Sequence, residues 1–179
     1  ALDALYQKGD YAALGQLIGD IKQQNDHLAQ TQFTENFTVN TILQDAAYRA
    51  AQSGIRFEAL VSVPPQLTVT ESDLCELLMN MLDNALEAAA EADAGKRFVR
   101  FQIETKNGFL AVKCENSYAG KRRQDADGNY ITTKNDAETH GFGLKLMSAV
   151  AVRYHSILDI FTSENQTFTV QTALKLPKK

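Results

Sequence analysis

The sequence has few cysteines, and their positions exclude several classes of site. The 179 residues contain two, Cys75 and Cys114, which lie far apart and lack the CxxC spacing of zinc and redox motifs. We therefore expect reduced, buried thiols and no metal site built on cysteine. This usage of cysteine is typical of a cytoplasmic protein.

Long apolar runs and an excess of positive charge are also missing. No apolar stretch approaches the roughly 20 residues of a membrane span, and we expect no signal peptide. The 18 basic and 22 acidic residues give a net charge of −4, which argues against a dedicated nucleic-acid binder. We expect no membrane contact by these residues. Since the chain begins at Ala1 without a methionine, we also expect it to be part of a longer protein.

The composition that remains is that of a folded domain. Hydrophobic residues make up 44% and charged residues 22%, both ordinary values for a soluble protein. Periodicity and turn signals predict helices at 39–53, 70–92 and 143–154, and strands at 55–63, 98–105, 109–114, 157–162 and 167–176. This order predicts an α+β sandwich, in which helices cover one face of a mixed sheet.

The first 32 residues are expected to form a unit of their own. One helix ends near Gln7, Gly9 and Asp10 break it, and a second helix follows at about 11–30. Two helices joined by so tight a turn form an antiparallel hairpin with little core. Its apolar stripe is therefore expected to pack on a partner helix or another subunit, and residues 33–179 are expected to form the main domain.

The helix that contains residues 73–87 has two distinct faces. Its apolar side chains step by three and four and form one stripe, which consists of Leu74, Leu78, Met81, Ala85 and Ala88. A second face carries Glu76, Asn80, Asn84 and Glu87. Asparagine is a poor helix former, yet its carbonyl can ligate Mg²⁺ and its NH₂ group can donate to phosphate oxygens. From these residues alone, a nucleotide site and a solvated polar face both remain open.

Two glycine-bearing segments follow this helix. Asn116 and Gly120 lie after a strand, where a plain polar loop is the alternative. Residues 140–144, His-Gly-Phe-Gly-Leu, open a helix, and free N–H groups at a helix N-terminus bind phosphate. A flexible hinge is the alternative there. Between the two segments, residues 117–140 have no clear periodicity, and so long a loop in a compact domain is usually functional or disordered.

Residues 73–87 resemble the asparagine-containing box of the GHKL superfamily, which includes histidine kinases, gyrase-like ATPases and mismatch-repair ATPases. The family pattern ends in Asn-Ala after an apolar helix, as Asn84-Ala85 does here. The resemblance implies a Bergerat-type sandwich, ATP as ligand and Asn84 as the ligand of Mg²⁺. Gyrase-like ATPases carry a glutamate base one turn earlier, where this chain has Asn80, as histidine kinases do. A neutral amide cannot activate water, so phosphoryl transfer is expected rather than hydrolysis.

The same resemblance assigns roles to the glycine-bearing segments. Asn116 stands where the family usually has an aspartate that binds the adenine amino group, and Tyr118 stands where it has its first glycine. Residues 117–140 correspond to the ATP lid, in which basic side chains such as Lys134 either reach phosphates or remain solvated. The implied ATP-binding residues are Asn80, Asn84, Asn116, Gly120, Lys134, His140, Gly141, Phe142, Gly143 and Leu144.

Further segments resemble the peptide-pheromone (quorum-sensing) branch of sensor histidine kinases. They are Gly54-Ile-Arg-Phe-Glu58, Glu115-Asn-Ser-Tyr118 and the Gly9-Asp10 turn between two helices. In that branch the phosphoacceptor histidine precedes the Gly-Asp turn, and residues 1–8 contain no histidine. The resemblance implies a homodimer formed through the hairpin and a response regulator as partner, within the cytoplasmic part of a membrane-bound sensor of a two-component system.

The sequence therefore predicts the ATP-binding domain of a histidine kinase, which transfers a phosphoryl group to a histidine outside this chain. No residue is assigned as catalytic, because the acceptor is absent. One alternative is a degenerate regulatory module that acts through protein contacts, which the altered first glycine segment motivates. Another is an ATP-hydrolysing clamp of the gyrase type, against which Asn80 argues.

Overall fold

Three helices and seven strands make up most of the described part of the chain. The computed structural model describes residues 31–120, 123–124, 130–131, 140–163 and 165–177. The helices there are α1 (Phe37–Gln52), α2 (Glu71–Glu91) and α3 (His140–Arg153). The strands are β1 (Arg56–Ser62), β2 (Phe98–Lys106), β3 (Phe109–Ser117), β4 (Arg123–Gln124), β5 (Tyr130–Ile131), β6 (Asp159–Ser163) and β7 (Thr167–Lys175), with a single 3₁₀ turn at Ala94–Lys96.

Five of the strands form one mixed sheet in the order β1-β2-β3-β7-β6. Strand β1 pairs with β2 in parallel, which requires a crossover, and α2 lies in that crossover. The remaining neighbours in the sheet are antiparallel. The two-residue strands β4 and β5 pair with each other in a separate ribbon inside the segment predicted as the lid.

The core lies between one face of this sheet and the helices. Alternate residues of β2 and β3 face α2 and are buried. Those at most 1% exposed include Phe101, Ile103, Leu110 and Val112. The predicted α+β sandwich is thus confirmed for the described part of residues 33–179, a range that forms one compact unit. The predicted amino-terminal hairpin lies outside the described residues. None of the helices in the described ranges has the length and hydropathy needed to cross a membrane.

Helix α2 begins and packs as the sequence predicts. The Thr70 side chain accepts a hydrogen bond from the Asp73 backbone N–H at 3.2 Å and so satisfies one of the free donors of the first turn. The predicted apolar stripe is buried along its whole length, from Leu74 to Ala88. Because this face is held by the core, the opposite polar face has a fixed orientation.

Glycine contributes to two tight connections. Gly54 follows α1 with a φ of 63°, the left-handed conformation expected at a helix C-terminus. Asn107 and Gly108 connect β2 to β3 with φ values of 52° and 80°. Two consecutive positive φ values favour a tight hairpin turn whose twist matches that of the strands.

The bounds of two elements differ from the predictions, and both differences affect the site. Strand β3 extends to Ser117 rather than ending at 114, because Asn116 pairs with Val99 on one side and Phe168 on the other. Helix α3 begins at His140 rather than at 143. The glycines of residues 140–144 therefore lie within the first turn of the helix, not in a turn before it.

Candidate functional site

The polar face of α2 places Asn80 and Asn84 one turn apart. Both side chains are half-buried. Their direction is set by the apolar stripe, which holds the helix on the core. The amide nitrogen of Asn80 donates a hydrogen bond of 2.6 Å to the backbone carbonyl of Glu76 in the preceding turn. This bond orients the Asn80 carbonyl oxygen away from the helix backbone.

The amino-terminal turn of α3 lies directly against these two asparagines. A Cβ atom at Gly143 would lie 3.1 Å from Oδ1 of Asn80 and 3.5 Å from Nδ2 of Asn84. Glycine at this position therefore lets the backbone of α3 approach both amides. The first N–H groups of a helix have no partner within it and carry partial positive charge, so the contact joins two amide side chains to an anion-binding helix end.

Asn116 lies at the end of β3 on the helix-facing side of the sheet. Its side chain is 2% exposed, and its Nδ2 donates a 2.8 Å hydrogen bond to the backbone carbonyl of Ser117. The hydroxyl of Ser117 in turn accepts from the backbone N–H of Phe98 at 3.0 Å. These bonds fix the Asn116 amide, with its nitrogen bound to the backbone.

The residues that follow β3 have separate structural reasons for their identity. Tyr118 is 9% exposed and belongs to the hydrophobic core, and its backbone N–H donates to the carbonyl of Gln166 at 3.3 Å. Gly120 has a φ of 72°, and among the described residues other than its chain neighbours no atom lies within 4 Å of a Cβ built on it. Glycine is favoured at that position by backbone conformation rather than by crowding.

The remaining residues implied by the resemblance are distributed around the start of α3. Phe142 is 60% exposed, whereas Leu144 is half-buried and packs on the core. His140 and Gly141 belong to α3, but nothing beyond their backbone is described. Lys134 and most of the predicted lid lie outside the described residues. The structure thus brings Asn80, Asn84 and Gly143 together.

A polar cluster that no sequence pattern predicts lies at the amino-terminal end of α2. Asp73 Oδ1 accepts from Arg153 Nη1 at 2.7 Å, and Asp73 Oδ2 accepts from the Tyr154 hydroxyl at 2.7 Å. Arg153 Nη2 also reaches Glu76 Oε2 at 2.8 Å. Burial raises the pKa of Asp73, but the hydrogen bonds from Tyr154 and Thr70 and the charge of Arg153 outweigh it, so the net pKa is lowered. Sequence patterns predicted Asp73 only as part of the helix at 70–92, not as a partner of Arg153 and Tyr154.

The described residues contain no group of three His, Cys, Asp or Glu side chains that could hold a metal ion by themselves. A metal at Asn84 would therefore need most of its oxygen ligands from phosphates and water. Mg²⁺ is bound in this way at nucleotide sites, through one or two protein side chains and the substrate phosphates. The donor set of this chain fits a metal that arrives with a nucleotide.

Residues 69–175 match the family model of the GHKL domain. The fold is similar to a histidine kinase from Burkholderia phymatum (TM-score 0.60, 16% identity), covering 99% of this chain and 86% of that one. It is also similar to the Acinetobacter baumannii histidine kinase AdeS (TM-score 0.55, 16% identity), covering 98% of this chain and 85% of that one. A nucleotide-free catalytic domain of histidine kinase ThkA gives a TM-score of 0.59 at 15% identity, covering 79% of this chain and 97% of that one. No curated protein sequence is similar enough to count as a match.

Proposed function

The chain belongs to the GHKL domain family, and from this premise we propose that it is the ATP-binding catalytic domain of a sensor histidine kinase. Its substrate is ATP, and its acceptor is a histidine outside this chain. The observation that carries the proposal is the contact of Gly143 with Asn80 and Asn84, which joins an anion-binding helix end to two amide side chains. In the transfer, the bond from the γ-phosphorus to the bridging oxygen breaks, a bond to an imidazole nitrogen forms, and ADP leaves.

Asn84 is the residue that we assign to Mg²⁺. Its amide oxygen adds no negative charge to a site that already receives several from the phosphates. When bound, the metal would neutralise charge on the phosphate oxygens. The backbone of Gly143 lies within reach of the same side chain. The phosphate-binding end of α3 and the metal ligand would therefore already be in a fixed relation before the nucleotide binds.

Asn80 favours transfer over hydrolysis. A general base must remove a proton from water, and a neutral amide cannot do so. The Asn80 amide nitrogen is already bound to the Glu76 carbonyl at 2.6 Å. Its role in our proposal is to position phosphate or its water shell, while the histidine acceptor supplies the nucleophile.

Asn116 is assigned to the adenine amino group. Since its nitrogen donates to Ser117, its carbonyl oxygen is the atom suited to accept from an exocyclic amine. This acceptor lacks the negative charge of the usual aspartate, and neutral hydrogen bonds are weaker than charge-assisted ones. We therefore propose a modest affinity for the base, with Gly120, Lys134 and residues 140–144 completing the site.

We also propose the finer placement that the sequence suggested. The peptide-pheromone branch is supported by the segments that resemble it, including the Asn116 segment itself. Residues 1–32 would then be the end of a dimerisation hairpin, 33–179 the catalytic domain, and 117–140 its lid. The partner would be a response regulator, and the location would be the cytoplasmic side of a membrane-bound sensor.

The test is calorimetric titration of the chain with MgATP. We expect saturable binding that requires Mg²⁺ in wild type and is at least about tenfold weaker in Asn84→Ala, the cost of losing one ligand interaction of about 1.4 kcal/mol. Asn107→Gly, a substitution in the exposed β2–β3 turn, is the matched control and should bind as wild type does. The chain alone should form little phosphohistidine.

Two results would favour the alternatives. Absence of binding at millimolar MgATP would favour a regulatory module that acts through protein contacts; the burial of Tyr118 in place of a glycine is the observation behind this alternative. Steady ATP hydrolysis that Asn80→Ala abolishes would favour a hydrolysing clamp.

A further inference from the structure

Helices α2 and α3 are joined at two places, and the second has no role in the function proposed above. Gly143 meets Asn80 and Asn84 near the start of α3. Arg153 and Tyr154, at its other end, bind Asp73 and Glu76. The two helices therefore run antiparallel across each other. We call the four residues Asp73, Glu76, Arg153 and Tyr154 the terminal clamp.

The clamp is built from several bonds rather than one ion pair. Arg153 bridges two carboxylates that lie on the same side of α2, at 2.7 and 2.8 Å. The Tyr154 hydroxyl donates to Asp73 and accepts from the backbone N–H of Thr70 at 3.1 Å. Its backbone carbonyl accepts from the N–H of Lys175 in β7 at 3.0 Å. The end of α3 is thus fixed both to the first turn of α2 and to the sheet.

Burial of α3 does not depend on this clamp. Met147, Val150 and Ala151 are fully buried and hold the helix on the core. The Arg153 side chain is 51% exposed, and exposed ion pairs contribute little to stability. The hydrophobic effect is non-directional, whereas the hydrogen bonds of an arginine that bridges two carboxylates specify direction. The clamp is therefore suited to fixing the register and tilt of α3.

A small tilt of α3 would matter at its amino-terminal end. Gly143 lies ten residues before Arg153, about 15 Å along the helix axis. A rotation of about 4° around the clamped end would move the glycine backbone by about 1 Å. A Cβ built on Gly143 would lie 3.1 Å from Asn80 Oδ1 and 3.5 Å from Asn84 Nδ2, so the glycine backbone is close to both amides. A displacement of about 1 Å at a site that positions substrate lowers rate or affinity strongly.

We propose that Arg153 and Tyr154 are positioning residues that hold the first turn of α3 against Asn80 and Asn84, and so determine how well the site receives the phosphates of the nucleotide. The inference rests on the proposed ATP site for its functional consequence. Its structural part, that the clamp sets the position of Gly143, is independent of any ligand.

The test compares Arg153→Gln and Tyr154→Phe with a matched control, Arg49→Gln. Arg49 also binds a carboxylate of α2, Asp83 at 2.6 Å, and is similarly exposed, but it links α2 to α1 instead of α3. The first readout is the backbone amide resonance of Gly143 in the nucleotide-free chain. We expect it to shift in both clamp variants, partly in Arg153→Lys, and not in Arg49→Gln.

The second readout is the Kd for MgATP, which we expect to rise about tenfold in Arg153→Gln, the loss associated with one misplaced hydrogen bond to a charged group. Arg49→Gln should leave it unchanged. An unshifted Gly143 resonance in both clamp variants would overturn the inference, as would a shift equal to that of the control. If wild type binds no MgATP, the proposed function fails alone, and the resonance comparison still decides whether the clamp positions α3.

Discussion

A Cβ atom on Gly143 would lie 3.1 Å from the side-chain oxygen of Asn80, so the two residues are in contact across the α2–α3 interface. They are 63 positions apart in sequence, and each is unfavourable for a helix in isolation. Their proximity explains both choices. The glycine lets the backbone approach, and the asparagine presents an amide to the helix end that approaches it.

Gly143→Ala tests this contact. The added methyl group must displace Asn80 or α3 by a few tenths of an ångström, so we expect MgATP affinity to fall about five- to tenfold. Stability should change by less than about 1 kcal/mol, because the better helix propensity of alanine offsets the crowding. Calorimetry and urea unfolding measure the two effects. Gly95→Ala is the control, because no described residue other than its chain neighbours has an atom within 4 Å of the new methyl. Equal affinity in the two variants would contradict the prediction.

Local patterns predicted the framework of this site, and tertiary contacts account for what they missed. The cap at Thr70 and the stripe from Leu74 to Ala88 depend on residues three or four apart, so periodicity alone placed α2. The end of β3 was missed because Asn116 and its neighbours are polar, and only pairing with β2 and β7 makes them a strand. The start of α3 was missed because two glycines oppose a helix locally.

The terminal clamp shows the limit of local reasoning most directly. The hydrogen bond from Tyr154 to Asp73 spans 81 residues. Nothing in the spacing of either residue marks the other, and Asp73 is already accounted for locally by its hydrogen bonds with Thr70 at the start of α2. Such a contact is decided by how α3 crosses α2, which follows from the packing of the whole domain.

Cysteine reactivity provides a test of burial. The sequence led us to expect two buried thiols, but only Cys114 is buried, while Cys75 is half-buried. Burial, and secondly the charge of Glu115, raises the pKa of Cys114 to about 12. Because the thiolate is the reactive form, a thiol reagent at pH 8 should modify Cys75 in the native chain and Cys114 only after unfolding. Cys75→Ser should abolish native labelling; rapid labelling that survives this substitution would contradict the assignment.

Tyr118 occupies a position where the GHKL pattern has its first glycine. It belongs to the core, with only 9% of its surface exposed. Tyr118→Gly should therefore not improve the site. We expect the free energy of unfolding to fall by about 3–5 kcal/mol, as for other large-to-small substitutions of buried aromatics. Tyr118→Phe, which keeps the ring, should lose much less. Equilibrium urea unfolding distinguishes them, and a loss below about 1 kcal/mol in the glycine variant would show that the ring is dispensable.

The pH dependence of stability tests the bonds to Asp73. Its folded pKa is lower than the ordinary value of 3.8, because the hydrogen bonds and the arginine outweigh the effect of burial. A lowered pKa means that ionised Asp73 stabilises the fold fully above that ordinary value, and that this contribution disappears as the pH falls through the folded pKa. Asp73→Asn should therefore be less stable than wild type at pH 7, and the difference should shrink below pH 3.8.

Urea unfolding measured from neutral to acidic pH tests whether the stabilities of Asp73→Asn and wild type converge. Asp93→Asn serves as the control, because the Asp93 side chain is 80% exposed. A gap between wild type and Asp73→Asn that stays constant with pH would mean that the carboxylate stabilises the fold by packing rather than by charge.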